Sequence, residues 1–251
     1  MPSTLSGTRF VRLARKEIGP LAALLLAATL VLSFGYLAME VLEGDTIAFD
    51  RAVLLAMRTS GNPADPIGPV WLEEVGRDVT ALGSYAFLGM VLLSVLGYLI
   101  LIRKHSAAIL VTANVLGGAV VSALLKLGFD RTRPDTISDA TRVFTASFPS
   151  GHATLSAVTF LTLGALLTRM HADRRIKVYF VALALSLTVG VGISRLYLGV
   201  HYPTDVIAGW AVGSAWAILC WVAAVWLQQW GEIETPSMSR PDLRRSSEDP
   251  Q

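Results

Sequence analysis

SAAILVTANVLGGAVVSALLKLGFDRTRP, residues 106–134, holds the two features that organise this chain. From 106 to 127 it is predominantly apolar and carries no charge except Lys126, and about 20 such residues in a helix cross a bilayer. At its end Lys126, Asp130, Arg131 and Arg133 crowd together, and Pro134 biases the backbone of Arg133 toward an extended form. A greasy rod that ends in cations predicts a membrane helix delivering charge to the lipid boundary.

The rest of the chain repeats the pattern. Its 251 residues are 53% hydrophobic and 16% charged, with mean hydropathy +0.55, whereas a soluble domain carries about 25% charge. Six runs are long enough to span: approximately 19–40, 81–102, 106–127, 152–169, 178–197 and 204–227. The expectation is an all-α polytopic membrane protein, a six-helix bundle. Three regions organise it: a cytoplasmic basic tail over 1–18, a transmembrane domain over 19–230, and a disordered cytoplasmic tail over 231–251. A net charge of +2, with no basic stripe interleaved with aromatics, argues against nucleic acid as a partner. The single cysteine, Cys220, excludes an internal disulfide and a cysteine-based zinc site.

Short-loop Lys and Arg set the orientation. Arg9, Arg12, Arg15 and Lys16, then Arg103 and Lys104, then Arg169, Arg174, Arg175 and Lys177 fall on one side, the cytoplasmic one. The first apolar run is longer than the core of a cleaved leader and is expected to be retained. Trp226 and Trp230 sit at interfacial depth. Loops 41–80, 128–151 and 198–203 then face outward, and Arg131, Arg133 and Arg142 run against the charge trend there. Such cations are candidates for work, with ion pairs to Asp130, Asp135 or Asp139 as the plain alternative. In loop 41–80, Ile47, Phe49, Val53, Leu54 and Met57 recur at helical spacing, as do Ile67, Val70, Trp71 and Val75. Two short amphipathic helices follow, either lying on the membrane surface or packed as a lid on the bundle. Gly209 and Gly213, four apart, predict close helix packing.

Two more polar clusters end apolar runs on the outward side. In Pro149-Ser150-Gly151-His152, Ser150 takes the N-cap position of a helix, whose free N–H groups and dipole attract anions. Gly151 lets a phosphate approach the backbone, and His152 falls in the first turn. In Ser194-Arg195-Leu-Tyr-Leu-Gly-Val-His201-Tyr-Pro203-Thr-Asp205, Pro203 suits a first helical turn. Asp205, four residues after His201, can hold one imidazole nitrogen as the acid of a triad does. Lys126, Arg133 and Arg195 add fixed cations suited to phosphate oxygens. The rival is a metal site on two His and an Asp, but three cations would repel a metal, so no cofactor is expected.

Lys126-x6-Arg133-Pro134, Pro149-Ser150-Gly151-His152 and Ser194-Arg195-x5-His201-x3-Asp205 together resemble the signature of the type 2 phosphatidic acid phosphatase superfamily, in its integral-membrane branch. The resemblance covers roughly residues 80–215. It implies His201 as nucleophile forming a phosphohistidine, Asp205 as its orienting acid, and His152 as the group that protonates the leaving alkoxide and then activates water. Lys126, Arg133, Ser150, Gly151 and Arg195 would hold the phosphoryl oxygens. The expected activity is hydrolysis of a lipid phosphate or diphosphate. Alternatives are transfer of the phosphoryl group to a second lipid, or a transporter that binds phosphate without cleaving it.

Overall fold

The computed structural model describes residues 5–134 and 146–229, with side chains from Ile18 on. The expected disordered tail at 231–251, Trp230, Asp135, Asp139 and Arg142 lie outside the described residues, as do the side chains of the N-terminal basic cluster. In chain order the elements are α1 (Leu5–Glu43), α2 (Ile47–Ala56), β1 (Arg58–Thr59), β2 (Asn62–Pro66), α3 (Val70–Ala81), α4 (Tyr85–Leu101), α5 (His105–Leu127), α6 (Gly151–Met170), α7 (Arg174–Tyr197) and α8 (Pro203–Gln229). This is an all-α membrane architecture. Five helices are individually long and apolar enough to span: α1 from Ile18, α5, α6, α7 and α8.

The second expected span, 81–102, is the one that differs. It is shorter, at 17 residues of α4, and completes a sixth span only together with α3, from which it is bent by 48°. The break has a local cause. The Ser84 hydroxyl accepts the Phe87 N–H at 3.2 Å, capping a new helix. Gly83 before it lies where a Cβ would sit 2.4 Å from Val191 of α7.

Helix α6 is the central post and packs against α5, α7 and α8, while α1 leans on α8 and, through Phe34, on Phe129 and Phe148. Small buried residues line its N-terminal half, Gly151, Ala153, Ser156 and Ala157, so neighbours come close. Leu21, Leu25 and Leu32 of α1 stay exposed, as a lipid-facing helix requires. The α6–α8 seam brings two backbones close together. A Cβ on Gly209 would lie 2.7 Å from the Ser150 carbonyl oxygen, and one on Gly213 would lie 2.4 Å from that of Thr154. The expected packing role of this glycine pair is present, and it fixes the depth of α8 against the start of α6.

Both short helices expected in loop 41–80 are present as α2 and α3. Between them runs a two-stranded hairpin that was not expected, turning at Gly61, whose φ of +85° suits glycine. Of the two readings left open, the structure favours the packed one. Buried Arg58 donates to the carbonyl oxygens of Tyr197 (2.7 Å) and Leu196 (3.3 Å), satisfying the end of α7. The Tyr197 hydroxyl in turn donates to Ile67 O at 2.8 Å. The outer faces of these elements, with Phe49, Val70 and Trp71, remain exposed.

Because backbone rather than a movable side chain meets Gly213, Gly213→Ala should destabilise the fold by about 1–3 kcal/mol through overpacking. Thermal unfolding in detergent, with Gly97→Ala as the control in open space, measures the difference.

Candidate active site

The site is assembled where the C-terminal ends of α5 and α7 meet the N-terminal ends of α6 and α8. One backbone bond ties the two starting helices together: Ser150 N–H donates to the Asp205 carbonyl at 2.9 Å. Ser150 occupies the N-cap position of α6 in extended conformation. Its hydroxyl, expected to cap, instead makes no hydrogen bond among the described residues and is buried. The first N–H groups of α6 likewise have no intrahelical acceptor. The helix therefore opens into the site with its donors uncommitted.

His201 lies in the short turn between α7 and α8 and is almost completely buried. Its Nδ1 faces Asp205 Oδ2 at 3.4 Å and Ser147 Oγ at 3.3 Å. Its Nε2 faces Arg133 Nη1 at 3.2 Å. Guanidinium nitrogens only donate, so this pattern assigns the proton to Nδ1 and the lone pair to Nε2. Burial pushes His201 down from its usual value to about 4, against the opposing pull of Asp205. The ring is thus neutral at physiological pH, with a lone pair turned toward the cations.

Asp205, in the first turn of α8, is fully buried and fully used. Oδ2 accepts from the Tyr202 N–H at 2.9 Å and from the Ser147 hydroxyl, as well as facing His201. Oδ1 accepts from Arg131 Nη1 at 2.6 Å. The expectation of a carboxylate holding His201 corresponds to this contact, but Arg131 and Ser147 were not assigned there. Arg131 stood out only as a cation against the charge trend; Ser147 carried no signal at all, because a serine between Ala146 and Phe148 has no spacing relation to His201.

The three expected phosphate cations surround the same hollow. Lys126 Nζ donates to Ala146 O at 2.7 Å. Arg133 Nη1 donates to Val200 O at 3.0 Å, and burial pulls its guanidinium below the usual value. Arg195 Nη1 donates to the Thr80 hydroxyl at 3.1 Å, while its Nε is buried without a partner among the described residues. Lys126 and Arg195 have no carboxylate within ion-pair distance among the described residues. His152, half-buried, is electrostatically coupled to Arg195, His201, Arg133 and Lys126, and its ring packs against the α3–α4 break at Gly83. A Cβ on Gly151 would lie 3.5 Å from Lys126 Cε, 3.7 Å from the Tyr85 hydroxyl and 3.9 Å from Ser122 Oγ. These groups border the hollow, and the Ser122 hydroxyl too lacks a partner. All eight residues expected in the site, Lys126, Arg133, Ser150, Gly151, His152, Arg195, His201 and Asp205, are brought together. Sequence reasoning gave Arg131 only as a candidate cation and missed Ser147, Thr80, Tyr85 and Ser122. Among the described residues no three His, Cys, Asp or Glu side chains form a metal-binding group.

The arrangement is a cationic hollow with a neutral imidazole in its wall. Cations and the start of α6 converge on a part-buried space, where charges act more strongly than in bulk solvent.

A titration follows from the burial of His201. Its ring should remain neutral down to about pH 4 and become cationic below that, instead of near the ordinary 6.5. Histidine-labelled NMR of the ligand-free protein in detergent should show an Nδ1–H tautomer with a protonation midpoint near 4. The attacking lone pair is lost as pH falls through that midpoint, not at neutrality. A midpoint at 6.5 would contradict the desolvated environment described.

Comparison with known proteins agrees with this geometry. The PAP2 superfamily profile matches residues 106–229. Phosphatidylglycerophosphatase B of Bacillus subtilis is 31% identical over 146 residues, covering 57% of this chain and 70% of that protein. Lipid A 1-phosphatase of Rhizobium etli is 31% identical over 184 residues, covering 61% and 74% respectively. The crystal structure of a transmembrane PAP2-type phosphatidylglycerolphosphate phosphatase from Bacillus subtilis superposes with a TM-score of 0.71 at 28% identity, over 79% of this chain and 95% of that one. With that profile match and relatives 31% identical over 70% and 74% of their own length, the chain belongs to the PAP2 superfamily.

Proposed function

We propose that this membrane protein hydrolyses the phosphate or diphosphate ester of a lipid through a phosphohistidine on His201. The observation that carries the reading is the polarity of that one ring. Nδ1 is held by Asp205, Nε2 carries the lone pair, and the lone pair faces the cationic hollow. Relatives named as lipid phosphatases support the reaction class.

In the first step Nε2 attacks phosphorus in line while the bond to the leaving oxygen breaks. His152 hands its proton to that oxygen, so a neutral alcohol or phosphate monoester departs. Lys126, Arg133, Arg195, the Ser150 hydroxyl and the N–H group at Gly151 stabilise the equatorial oxygens, the main requirement of phosphoryl transfer. Asp205 stabilises the imidazolium character that His201 gains. In the second step His152 takes a proton from water, the hydroxide attacks phosphorus, and the P–N bond breaks. Inorganic phosphate leaves and both histidines return to their starting states. No metal is needed, since fixed side-chain cations supply the positive charge.

The basic loops at the opposite ends of the helices support an extracytoplasmic site on the cytoplasmic membrane. Arg103 and Lys104 follow α4, and Arg174, Arg175 and Lys177 open α7. Leu124 and Leu127 are exposed beside Lys126, so a lipid chain can rest on α5 while its phosphate meets the cation. Phosphatidylglycerophosphate is the first candidate, given the relatives' names, followed by undecaprenyl diphosphate, phosphatidic acid and a lipid A phosphate.

The purified protein in detergent should release phosphate from at least one lipid of this panel, with a chelator present. His201→Ala should abolish release. Asp205→Asn should lower it about 10²–10⁴-fold, leaving measurable turnover, because a mis-oriented base costs about that much. With labelled lipid phosphate, a quenched reaction should trap an alkali-stable, acid-labile phosphoenzyme in the parent protein and none in His201→Ala.

A further inference from the structure

Outside the motifs, one buried charge remains unexplained. Asp50 lies in α2, in the loop that precedes every motif, yet its side chain is 0% exposed. A buried carboxylate is costly unless it is paired and fully hydrogen-bonded. Asp50 meets that condition on partners from two other parts of the chain. Oδ1 accepts from the Thr204 N–H at 3.0 Å and Oδ2 from the Thr204 hydroxyl at 2.7 Å, both at the start of α8. Oδ2 also pairs with Arg131 Nη2. The other nitrogen of that guanidinium, Nη1, is the one that holds Asp205 Oδ1, and it also donates to the Thr204 hydroxyl at 2.7 Å. Thr46 Oγ1 accepts from Nη2 at 3.3 Å, and the Tyr202 ring lies 4.5 Å from the guanidinium carbon. Arg131 is therefore a planar fork with one prong on each of two buried carboxylates.

From this geometry we infer that Asp50 is a positioning residue for catalysis: through Arg131 it sets the orientation and the residual negative charge of Asp205, and so the readiness of His201 to attack. The inference rests on His201 as the nucleophile.

Two consequences of the fork make the link catalytic as well as architectural. A guanidinium shared between two carboxylates neutralises neither fully, so Asp205 keeps charge to stabilise the imidazolium that forms when His201 attacks. With Asp50 neutral, Arg131 would pair with Asp205 alone and cancel it. The fork is also rigid and bidentate, so it aligns Asp205 Oδ1 and leaves Oδ2 for His201. None of this touches substrate; Lys126, Arg195 and the start of α6 are held by other contacts. The loss should therefore fall on kcat and spare binding.

The test is Asp50→Asn in the full-length protein in detergent, alone and combined with Asp205→Asn. The single variant should lose about 10–100-fold in kcat, with KM and inhibition by orthovanadate within about threefold of the parent. Rapid-quench formation of the phosphoenzyme should slow by the same factor. On the Asp205→Asn background the same change should cost less than about threefold, because the residue through which it acts is already disabled. Equal losses on both backgrounds, or a loss confined to KM or to melting temperature with kcat intact, would overturn the inference. If Asp50→Asn does not fold, Arg131→Gln cuts the same link from its other end and is read against Asp205→Asn in the same way. Absence of any phosphoenzyme in the parent protein would instead overturn the phosphohistidine reading, which keeps the two failures distinct.

Discussion

Two kinds of buried cation share this site, and the difference between them governs the rest. Arg131 is neutralised by Asp50 and Asp205. Lys126 and Arg195 are largely buried yet have only carbonyl or hydroxyl partners among the described residues. Burying an uncompensated cation costs several kcal/mol. The fold must carry that cost in its ligand-free form, and an arriving phosphate dianion offsets it. Strain of this sort is stored where function needs it: the hollow attracts a phosphoryl group because, among the described residues, no carboxylate pairs with Lys126 or Arg195.

Holding such a hollow open requires rigid walls, and the walls are helix ends. The glycines of α8 bring it against α6 so closely that the Ser150 N–H reaches the Asp205 carbonyl. That contact puts an uncommitted helix N-terminus next to the carboxylate that orients His201. Had α8 carried side chains at 209 and 213, the helices would stand further apart, and His201 and the start of α6 would no longer face the same hollow. The small-residue seam is thus part of the catalytic geometry although no atom of it reacts.

How much of this was legible in the sequence depends on whether a residue's partner lay nearby in the chain. The helices could be read because apolar runs of about 20 residues have few alternatives. His201 and Asp205 could be paired because i and i+4 around a helix start are neighbours in space. Ser150 was placed correctly at its N-cap, yet its hydroxyl proved not to cap, and side-chain orientation at a helix start is not written in local spacing. The bend at Gly83 was missed because hydropathy runs on through it; only the cap at Ser84 and the close approach of Val191 stop the helix. Ser147, Thr80 and Asp50 were invisible for the same reason: their partners are 58, 115 and 154 residues away in sequence. Nothing local distinguishes Asp50 from any acid on an amphipathic helix.

That invisibility bears on how the first loop is understood. Composition suggests a surface element, and its outer face is indeed exposed, but its inner face holds the chemistry from behind. Arg58 closes the end of α7 two residues after Arg195, Thr80 steadies the Arg195 guanidinium, Gly83 backs His152, and α2 reaches the start of α8. Each helix end that donates a reacting or phosphate-binding group from α6, α7 or α8 thus meets a separate piece of the 41–84 segment. Bundle packing alone orders helices along their lengths and is weakest at their termini, where the last turn has unsatisfied groups and few neighbours. Catalysis places its groups at those termini because only there does a lipid phosphate meet water. A segment laid across the ends resolves the conflict: it supplies the rigidity that the bundle cannot give at its own boundary, while leaving the lipid-facing side of α5 clear.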